Sequence, residues 1–128
     1  MLYQDLTREI IASAMKVHSQ LGNGFQEVVY QRSLAIEFKL KDIGFQRELD
    51  MPLFYEKIGV GTRRVDFLVE NKVLVEIKAI SKLDNIQISQ VLNYLSAYNL
   101  KIALLINFGS NSLEFKRLRN KKLIKKID

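Results

Sequence analysis

Residues 65–78 read VDFLVENKVLVEIK, and the fold is predicted mainly from them. Two β-rich runs flank a short polar segment, and charged residues interrupt the apolar ones in each run. Side chains alternate between the faces of a strand, so period two places Glu76 and Lys78 together, opposite the apolar residues of the second run. In the first run, the same alternation places Asp66 on the face opposite the apolar residues. The stretch predicts two adjacent antiparallel strands that carry acids and a lysine.

Asp66 is expected opposite one apolar face, formed by Val65, Phe67 and Val69. For Asp66 and Glu76 to share a face, the turn between the strands has to contain an odd number of residues or a bulge. Partners across two strands have Cβ atoms about 5 Å apart, and two carboxylates at that distance repel unless a cation or a shared proton intervenes. The pair therefore indicates a site for a hard divalent cation.

Mg²⁺ or Mn²⁺ is the cofactor that these residue types favour. Two carboxylates and a backbone carbonyl are enough to hold Mg²⁺ beside a phosphate, because the ion prefers oxygen ligands and keeps several waters. Lys78 is placed to stabilise charge on phosphate oxygens or to favour a metal-bound hydroxide. The structural alternative is a surface ion pair of Glu76 with Lys78, while Asp66 caps a loop.

The rest of the chain predicts further helices and strands around this pair. Residues that recur at three- and four-residue steps predict helices over about 6–21, 25–42 and 84–99. Asp5 is a candidate N-cap of the first helix, which Gly22 ends, and Asp84 or Asn85 is expected near the start of the third. β-rich runs predict strands over about 46–55, 60–69, 73–79, 102–106 and 113–118. The fourth is continuously apolar, as a covered strand is, and the fifth alternates like an edge strand.

The order α-α-β-β-β-α-β-β predicts one α+β domain over residues 1–128, with a mixed central sheet flanked by helices. The second helix has an unusual face. Tyr30, Leu34 and Phe38 form an apolar stripe, and Glu27 lies on the same stripe one turn before Tyr30. Entering from this helix, Glu27 is placed to bind a first or second ion or to hold the attacking water.

The charge of the chain favours an anionic partner, with nucleic acid first and a membrane surface second. The formal net charge is +6 and the sequence pI is about 9.6. In the basic tail that begins at about residue 116, residues 116–126 contain seven basic residues and no acid: Lys116, Arg117, Arg119, Lys121, Lys122, Lys125 and Lys126. Phosphate contact and a solvated chain end explain it equally well. Arg63 and Arg64 precede Asp66, and phosphate contact and a solvated hairpin end explain them equally well.

The composition also excludes several classes of site. The chain has no Cys, which excludes disulfides, thiolate zinc sites and Cys nucleophiles, and fits a reducing compartment. Its single His excludes imidazole clusters, and we expect His18 to pack or cap. Tyr94 and Tyr98, one turn apart, favour core packing over base stacking. No run reaches the ~20 apolar residues of a membrane span, and charges interrupt the first ten residues, so we expect a cytoplasmic protein without membrane contact.

Three segments in this order resemble the GxxExxY family of the PD-(D/E)XK nuclease superfamily: residues 24–30 (GFQEVVY), 65–69 (VDFLV) and 75–79 (VEIKA). Residues 90–95 (QVLNYL) resemble the Gln-x-x-x-Tyr element of exonuclease-like branches, and residues 104–109 (LLINFG) also fit the family. The similarity runs from about residue 6 to residue 119. Val65 stands where the superfamily's name has proline.

The resemblance implies a metal-dependent nuclease with a PD-(D/E)XK restriction-endonuclease-like core. It implies metal or catalytic roles for four residues and a supporting role for two more: Asp66, Glu76, Lys78 and Glu27, then Gln90 and Tyr94. The leading hypothesis is a Mg²⁺- or Mn²⁺-dependent deoxyribonuclease in which metal-activated water attacks phosphorus. Its alternatives are a noncatalytic nucleic-acid-binding module of a repair or defence assembly, and a ribonuclease. A homodimer is a further option.

Overall fold

The computed structural model describes residues 1–124, so Lys125 and Lys126 of the basic tail lie outside the described residues. The helices are α1 (Gln4–Leu21), α2 (Glu27–Leu40) and α3 (Asn85–Ala97). The strands are β1 (Phe45–Tyr55), β2 (Ile58–Val69), β3 (Val73–Lys78), β4 (Ile102–Asn107) and β5 (Glu114–Arg119). The predicted α+β class and the predicted order of elements are confirmed.

The strands form one five-stranded mixed sheet in the order β1-β2-β3-β4-β5. Only β3 and β4 are parallel; the other neighbours are antiparallel. Parallel neighbours need a crossover connection, and α3 supplies it between β3 and β4. All six residues of β4 are buried and β5 lies at the sheet edge, as predicted.

Each face of the sheet has its own apolar core. On one face, α1 and α2 pack on the sheet through residues such as Phe38, Phe67 and Leu104. On the other, α3 packs through residues such as Leu95 and Leu105. Burying one such side chain contributes about 1.5–3 kcal/mol, so the two cores hold the strands from both sides.

The helix ends agree with the sequence in part. Asp84 caps α3 in a capping box with Gln87, and Gly22 ends α1 with φ 69°, both as predicted. The prediction for Asp5 was wrong: Tyr3 is the N-cap, and Asp5 lies in the first turn, where its charge still favours the helix N-terminus.

The turn between β2 and β3 has the length that a shared acidic face requires. Val69 pairs with Val73, so three residues form the turn. Glu70 and Asn71 adopt left-handed φ values of 52° and 56°. The odd count that we predicted is present, and the regular ladder ends where Phe67 pairs with Val75.

β2 is irregular at Asp66, and the predicted apolar face was wrong in this detail. Val65 belongs to the core under α3, whereas Phe67 belongs to the core under α1 and α2. Residues two apart share a face in a regular strand, so the strand rolls over between them. In β1 the opposing residue is Glu48, which is skipped in the ladder and has φ 52°. Beyond this point, the ladder between β2 and β3 stops, and the two strands form a fork.

Candidate active site

Asp66 lies in the fork between β2 and β3 and is held from two sides. The side-chain amide of Gln31 on α2 donates to Oδ1 at 2.8 Å, and the backbone N–H of Ile77 donates to Oδ2 at 2.8 Å. Because the ladder has ended, the Ile77 N–H is satisfied by this carboxylate. Each carboxylate oxygen has a second lone pair, so Asp66 keeps acceptor capacity for a ligand.

Glu76 is the buried acid of the site, with 3% of its surface exposed. Within residues 1–124, its Oε1 atom makes no hydrogen bond. The nearest cation is Arg63, with a guanidinium nitrogen at 4.0 Å, which is too long for a hydrogen bond. Burial raises the pKa of Glu76 to about 9, the adjacent Asp66 carboxyl adds to the rise, and Arg63 and Lys78 oppose it. A divalent cation bound beside Glu76 would oppose this rise, because it favours the charged carboxylate.

Glu27 and Lys78 complete the group of predicted catalytic residues. Lys78 ends β3 and is half-buried, and Glu27 begins α2 and remains open to solvent. Burial by surrounding groups raises the pKa of Glu27, Lys78 lowers it, and Asp66 raises it further. The structure thus brings the four predicted residues Glu27, Asp66, Glu76 and Lys78 within electrostatic reach of one another.

The start of α2, which carries Glu27, is fixed by the glycine and tyrosine of the same motif. Gly24 has φ 109°, a conformation that a residue with a Cβ rarely adopts. The buried Tyr30 hydroxyl donates to the Gly22 carbonyl at 2.6 Å and accepts from the Phe25 N–H at 3.2 Å. The second helix was predicted to begin at about residue 25. These two bonds hold residues 22–25 in a loop instead, so α2 begins at Glu27.

The two adjacent arginines have different surroundings. Arg64 is exposed and forms a two-point pair with Asp50, with bonds of 2.9 and 3.3 Å. Arg63 lies in the site, with its guanidinium carbon 5.1 Å from the centre of the Tyr94 ring and a nitrogen near Glu76. A guanidinium over an aromatic face is held by a cation–π interaction. Because side chains alternate along β2, the two adjacent arginines point to opposite faces of the strand, and only Arg63 faces the acids.

Of the two predicted supporting residues on α3, Tyr94 reaches the site by contacting Arg63, and Gln90 does not. Tyr94 stacks on Tyr98, with ring centres 6.3 Å apart, and the Tyr98 hydroxyl donates to the Met51 carbonyl at 3.2 Å. Gln90 lies one turn before Tyr94 and is exposed. Tyr94 therefore lies beside the acidic site, whereas Gln90 is an exposed residue on the surface of α3.

The basic residues near the C-terminus lie on and after the edge strand. Arg117 donates to the Leu2 carbonyl, and the Lys122 ammonium lies 3.4 Å from the Ser96 hydroxyl. Three others are exposed or half-buried: Lys116, Arg119 and Lys121. Two strand spacings of about 4.8 Å separate β5 from β3, so Lys116, which is level with Glu76 in the ladder, lies about 10 Å across the sheet from it.

Gln31 is a site residue that the sequence interpretation missed. It lies four residues after Glu27, and residues at that spacing share one face of a helix. That spacing was the available signal. His18, by contrast, packs as predicted: its Nε2 lies 3.0 Å from the Ser110 carbonyl and its ring lies beside Phe108.

The acidic residues fit a divalent metal as a two-carboxylate site. Across residues 1–124, no three His, Cys, Asp or Glu side chains form a metal-binding group. Mg²⁺ is often held by one or two carboxylates together with waters and substrate phosphates, so a third acid is not required. The unpaired Oε1 of Glu76 beside Asp66 is the observation that fits a cation, because a buried acceptor without a partner is costly.

Comparison with known families agrees with this fold. Residues 4–118 match the family model of the PD-(D/E)XK nuclease superfamily. The chain belongs to the PD-(D/E)XK nuclease superfamily. Membership indicates a hydrolase that acts on nucleic acid, and such nucleases generally use divalent metals. Comparison with curated proteins and with solved structures gave no match. Among the helices of residues 1–124, none is long and apolar enough to cross a membrane.

Proposed function

We propose that this chain is a Mg²⁺- or Mn²⁺-dependent deoxyribonuclease of the GxxExxY branch. The observation that carries the proposal is the fork in the sheet, where Asp66 and a buried, incompletely bonded Glu76 meet beside Lys78. The roles of Gly24 and Tyr30 in fixing Glu27 support the assignment to the branch. The absence of Cys from the sequence supports a reducing compartment such as the cytoplasm.

Each residue of the site has a role that follows from its surroundings. Asp66 and Glu76 would hold the metal ion, with Glu27 as a third acid on its solvent side. A bound divalent ion would supply charge neutralisation and a lowered pKa for its water. The Lys78 ammonium stabilises the charge that develops on the phosphate oxygens. Glu27, open to solvent, accepts a hydrogen bond from the attacking water and holds it in place.

Basic residues would hold the nucleic-acid backbone around this centre. Arg63 lies nearest to the acids and is placed to bind the scissile phosphate, since 39% of its side chain is exposed while its guanidinium stacks on Tyr94. More distant contacts would come from exposed or half-buried cations that position the backbone without reading its sequence: Arg64, Lys116, Arg117, Arg119, Lys121 and Lys122. The net charge of +6 supports a polyanionic substrate.

Cleavage assays with matched aspartate variants test the proposal. Wild type, Asp66→Asn and Asp50→Asn are incubated with supercoiled, linear and single-stranded DNA and with RNA, in Mg²⁺, Mn²⁺ or EDTA. Asp50 is an exposed acid on the neighbouring strand and serves as the control. We expect metal-dependent DNA cleavage by wild type and Asp50→Asn, and none by Asp66→Asn. Cleavage of RNA alone would identify a ribonuclease.

A noncatalytic nucleic-acid-binding module is the second candidate, and one observation favours it. Both Asp66 oxygens already accept hydrogen bonds from the protein, and no group of three ligands forms within residues 1–124. A pure binder would nevertheless place acids against phosphates, which weakens binding. DNA binding without metal uptake or cleavage by wild type would make this the better assignment.

A further inference from the structure

Gln31 is a buried polar side chain that is only half satisfied. It lies on α2 with 6% of its surface exposed. Its side-chain nitrogen donates to Asp66 Oδ1 at 2.8 Å, whereas its carbonyl oxygen, Oε1, makes no hydrogen bond within the described part of the chain. Buried amides are normally bonded at both ends, so the free Oε1 calls for an explanation.

The orientation of this amide is fixed by chemistry. A side-chain amide often fits equally well when its nitrogen and oxygen are exchanged. An amide oxygen cannot donate a hydrogen bond and a carboxylate oxygen accepts one, so the NH₂ group of Gln31 faces Asp66 Oδ1. The unpaired atom is therefore the acceptor oxygen, and it lies in the same buried region as the acidic site.

Asp66 is held by two donors from different elements. Gln31 on α2 binds one oxygen, and the Ile77 N–H on β3 binds the other. Two bonds to the two oxygens fix the plane of the carboxylate, and a single bond would allow it to rotate. We propose that Gln31 is a positioning residue, whose amide fixes the Asp66 carboxylate for metal binding and whose free carbonyl oxygen accepts a hydrogen bond from a water molecule bound at the same site. The proposal rests on the proposed metal-dependent function.

A purely structural glutamine would be bonded differently. Asn107, a fully buried amide at the end of β4, donates from Nδ2 to two oxygens and accepts two backbone N–H groups. All of these hydrogen bonds are made to protein groups, so Asn107 stabilises the fold and has no free donor for a ligand. Gln31 keeps an acceptor free, and it is bonded to the acid on which the site depends.

The test combines an apolar isostere with a shortened amide. Gln31→Met keeps the length and apolar bulk of the side chain but removes both polar atoms. Gln31→Asn keeps an amide that is one methylene too short to reach Asp66. Ser13→Ala is the control, because Ser13 is buried and its hydroxyl, within the described residues, bonds only to the Glu9 carbonyl of its own helix. Thermal unfolding shows which variants are folded.

Three readouts are measured for each folded protein: Mn²⁺ affinity by calorimetry without nucleic acid, kcat and KM on DNA, and the exchange rate of the Ile77 amide in metal-free protein by NMR. For both Gln31 variants we expect a loss of Mn²⁺ affinity of about 10-fold or more, the size of effect that outer-shell partners have on metal affinity. We also expect a lower kcat with unchanged KM, and faster exchange at Ile77 because Asp66 is free to turn. Ser13→Ala should match wild type in all three.

The outcomes separate this inference from the proposed function. If wild type binds Mn²⁺ and cuts DNA while a folded Gln31 variant does both equally well, the positioning role is overturned and the nuclease assignment stands. If wild type neither binds Mn²⁺ nor cuts, both are overturned. Should Gln31→Met not fold, the same criteria apply to Gln31→Asn.

Discussion

Strands β3 and β4 are parallel neighbours of six residues each, paired from Val73 and Ile102 to Lys78 and Asn107. Both are almost completely buried, and both carry polar side chains near the same end. β4 is apolar up to Asn107, whereas β3 carries Glu76 directly beside Leu105. The two strands are therefore buried to nearly the same extent, but β3 contains a buried acid and β4 does not.

The difference lies in how the polar groups are satisfied. Asn107 bonds to both Ile80 backbone groups, to the Gly109 N–H and to Glu114 Oε1, at distances from 2.9 to 3.0 Å. Among residues 1–124, one oxygen of Glu76 has no hydrogen-bond partner, and the pKa of Glu76 is raised to about 9. A buried polar group that is fully bonded stabilises one structure, and one that is left unbonded is a reason to expect a ligand.

The largest effect is expected from Asn107→Ala, which removes the bonds between β4 and the segment after Lys78. We expect a loss of about 3 kcal/mol in the free energy of unfolding, since several buried backbone groups lose their partners. Urea denaturation measures it. The control, Asn111→Ala, changes an exposed asparagine and should stay within about 0.5 kcal/mol of wild type. If both variants changed the free energy of unfolding equally, the buried hydrogen bonds of Asn107 would not contribute to stability.

Lys78→Ala tests whether the end of β3 acts in catalysis and not in folding. We expect turnover to fall about 100-fold, the scale for deleting one preorganised electrostatic group, while Mn²⁺ affinity by calorimetry is retained. Lys72→Ala is the matched control, because Lys72 precedes β3 at its other end. A loss of folding stability without a loss of turnover would assign Lys78 the same structural role as Asn107.

Glu76→Gln should stabilise the metal-free protein while abolishing cleavage. The folded-state pKa of about 9 lies above the ordinary value of 4.5, so the stability that protonated Glu76 provides is complete below about pH 4.5 and is lost as the pH rises through 9. Glutamine does not lose it. We expect the variant to be more stable than wild type by on the order of 2 kcal/mol at pH 8, and by little at pH 5. Urea denaturation at both pH values measures the difference; a constant difference would contradict the raised pKa.

The smallest effect should come from cations that lie outside both strands. Replacing Lys121 and Lys122 by Gln should weaken DNA binding and reduce the slope of log affinity against log salt by about 2, one counterion for each lost phosphate contact. Filter binding at several salt concentrations measures the slope. Truncation after Arg119 is less informative, because the Asn120 side chain donates to the Leu95 carbonyl at 3.0 Å and its loss disturbs α3. An unchanged slope would assign these lysines to solubility.

Much of the site was predictable because it depends on strand period and turn length. The alternation in β3 placed Glu76 and Lys78 together, and the three-residue turn brought Asp66 to the same end of the sheet. The roll of β2 at Asp66 was not predictable. It accompanies a left-handed φ of 52° at Glu48, a residue type without a preference for that conformation.

Contacts that join distant elements were the other part that the sequence did not reveal. The bond from Gln31 to Asp66 spans 35 positions, and helix spacing alone indicates a shared face, not a partner. The contact of the Arg63 guanidinium with the Tyr94 ring was likewise not predictable, because it joins β2 to α3. Pattern determines which face a residue occupies, whereas tertiary packing determines which neighbour it contacts.

The stack of Arg63 on Tyr94 gives the protein an intrinsic optical reporter. The chain contains no Trp and five Tyr, so its fluorescence is that of tyrosine alone. A phosphate that draws the guanidinium from its place 5.1 Å from the ring centre changes the charge beside that chromophore. Titration with a short oligonucleotide would then alter tyrosine emission in wild type and not in Tyr94→Phe, and substrate engagement becomes visible without a label.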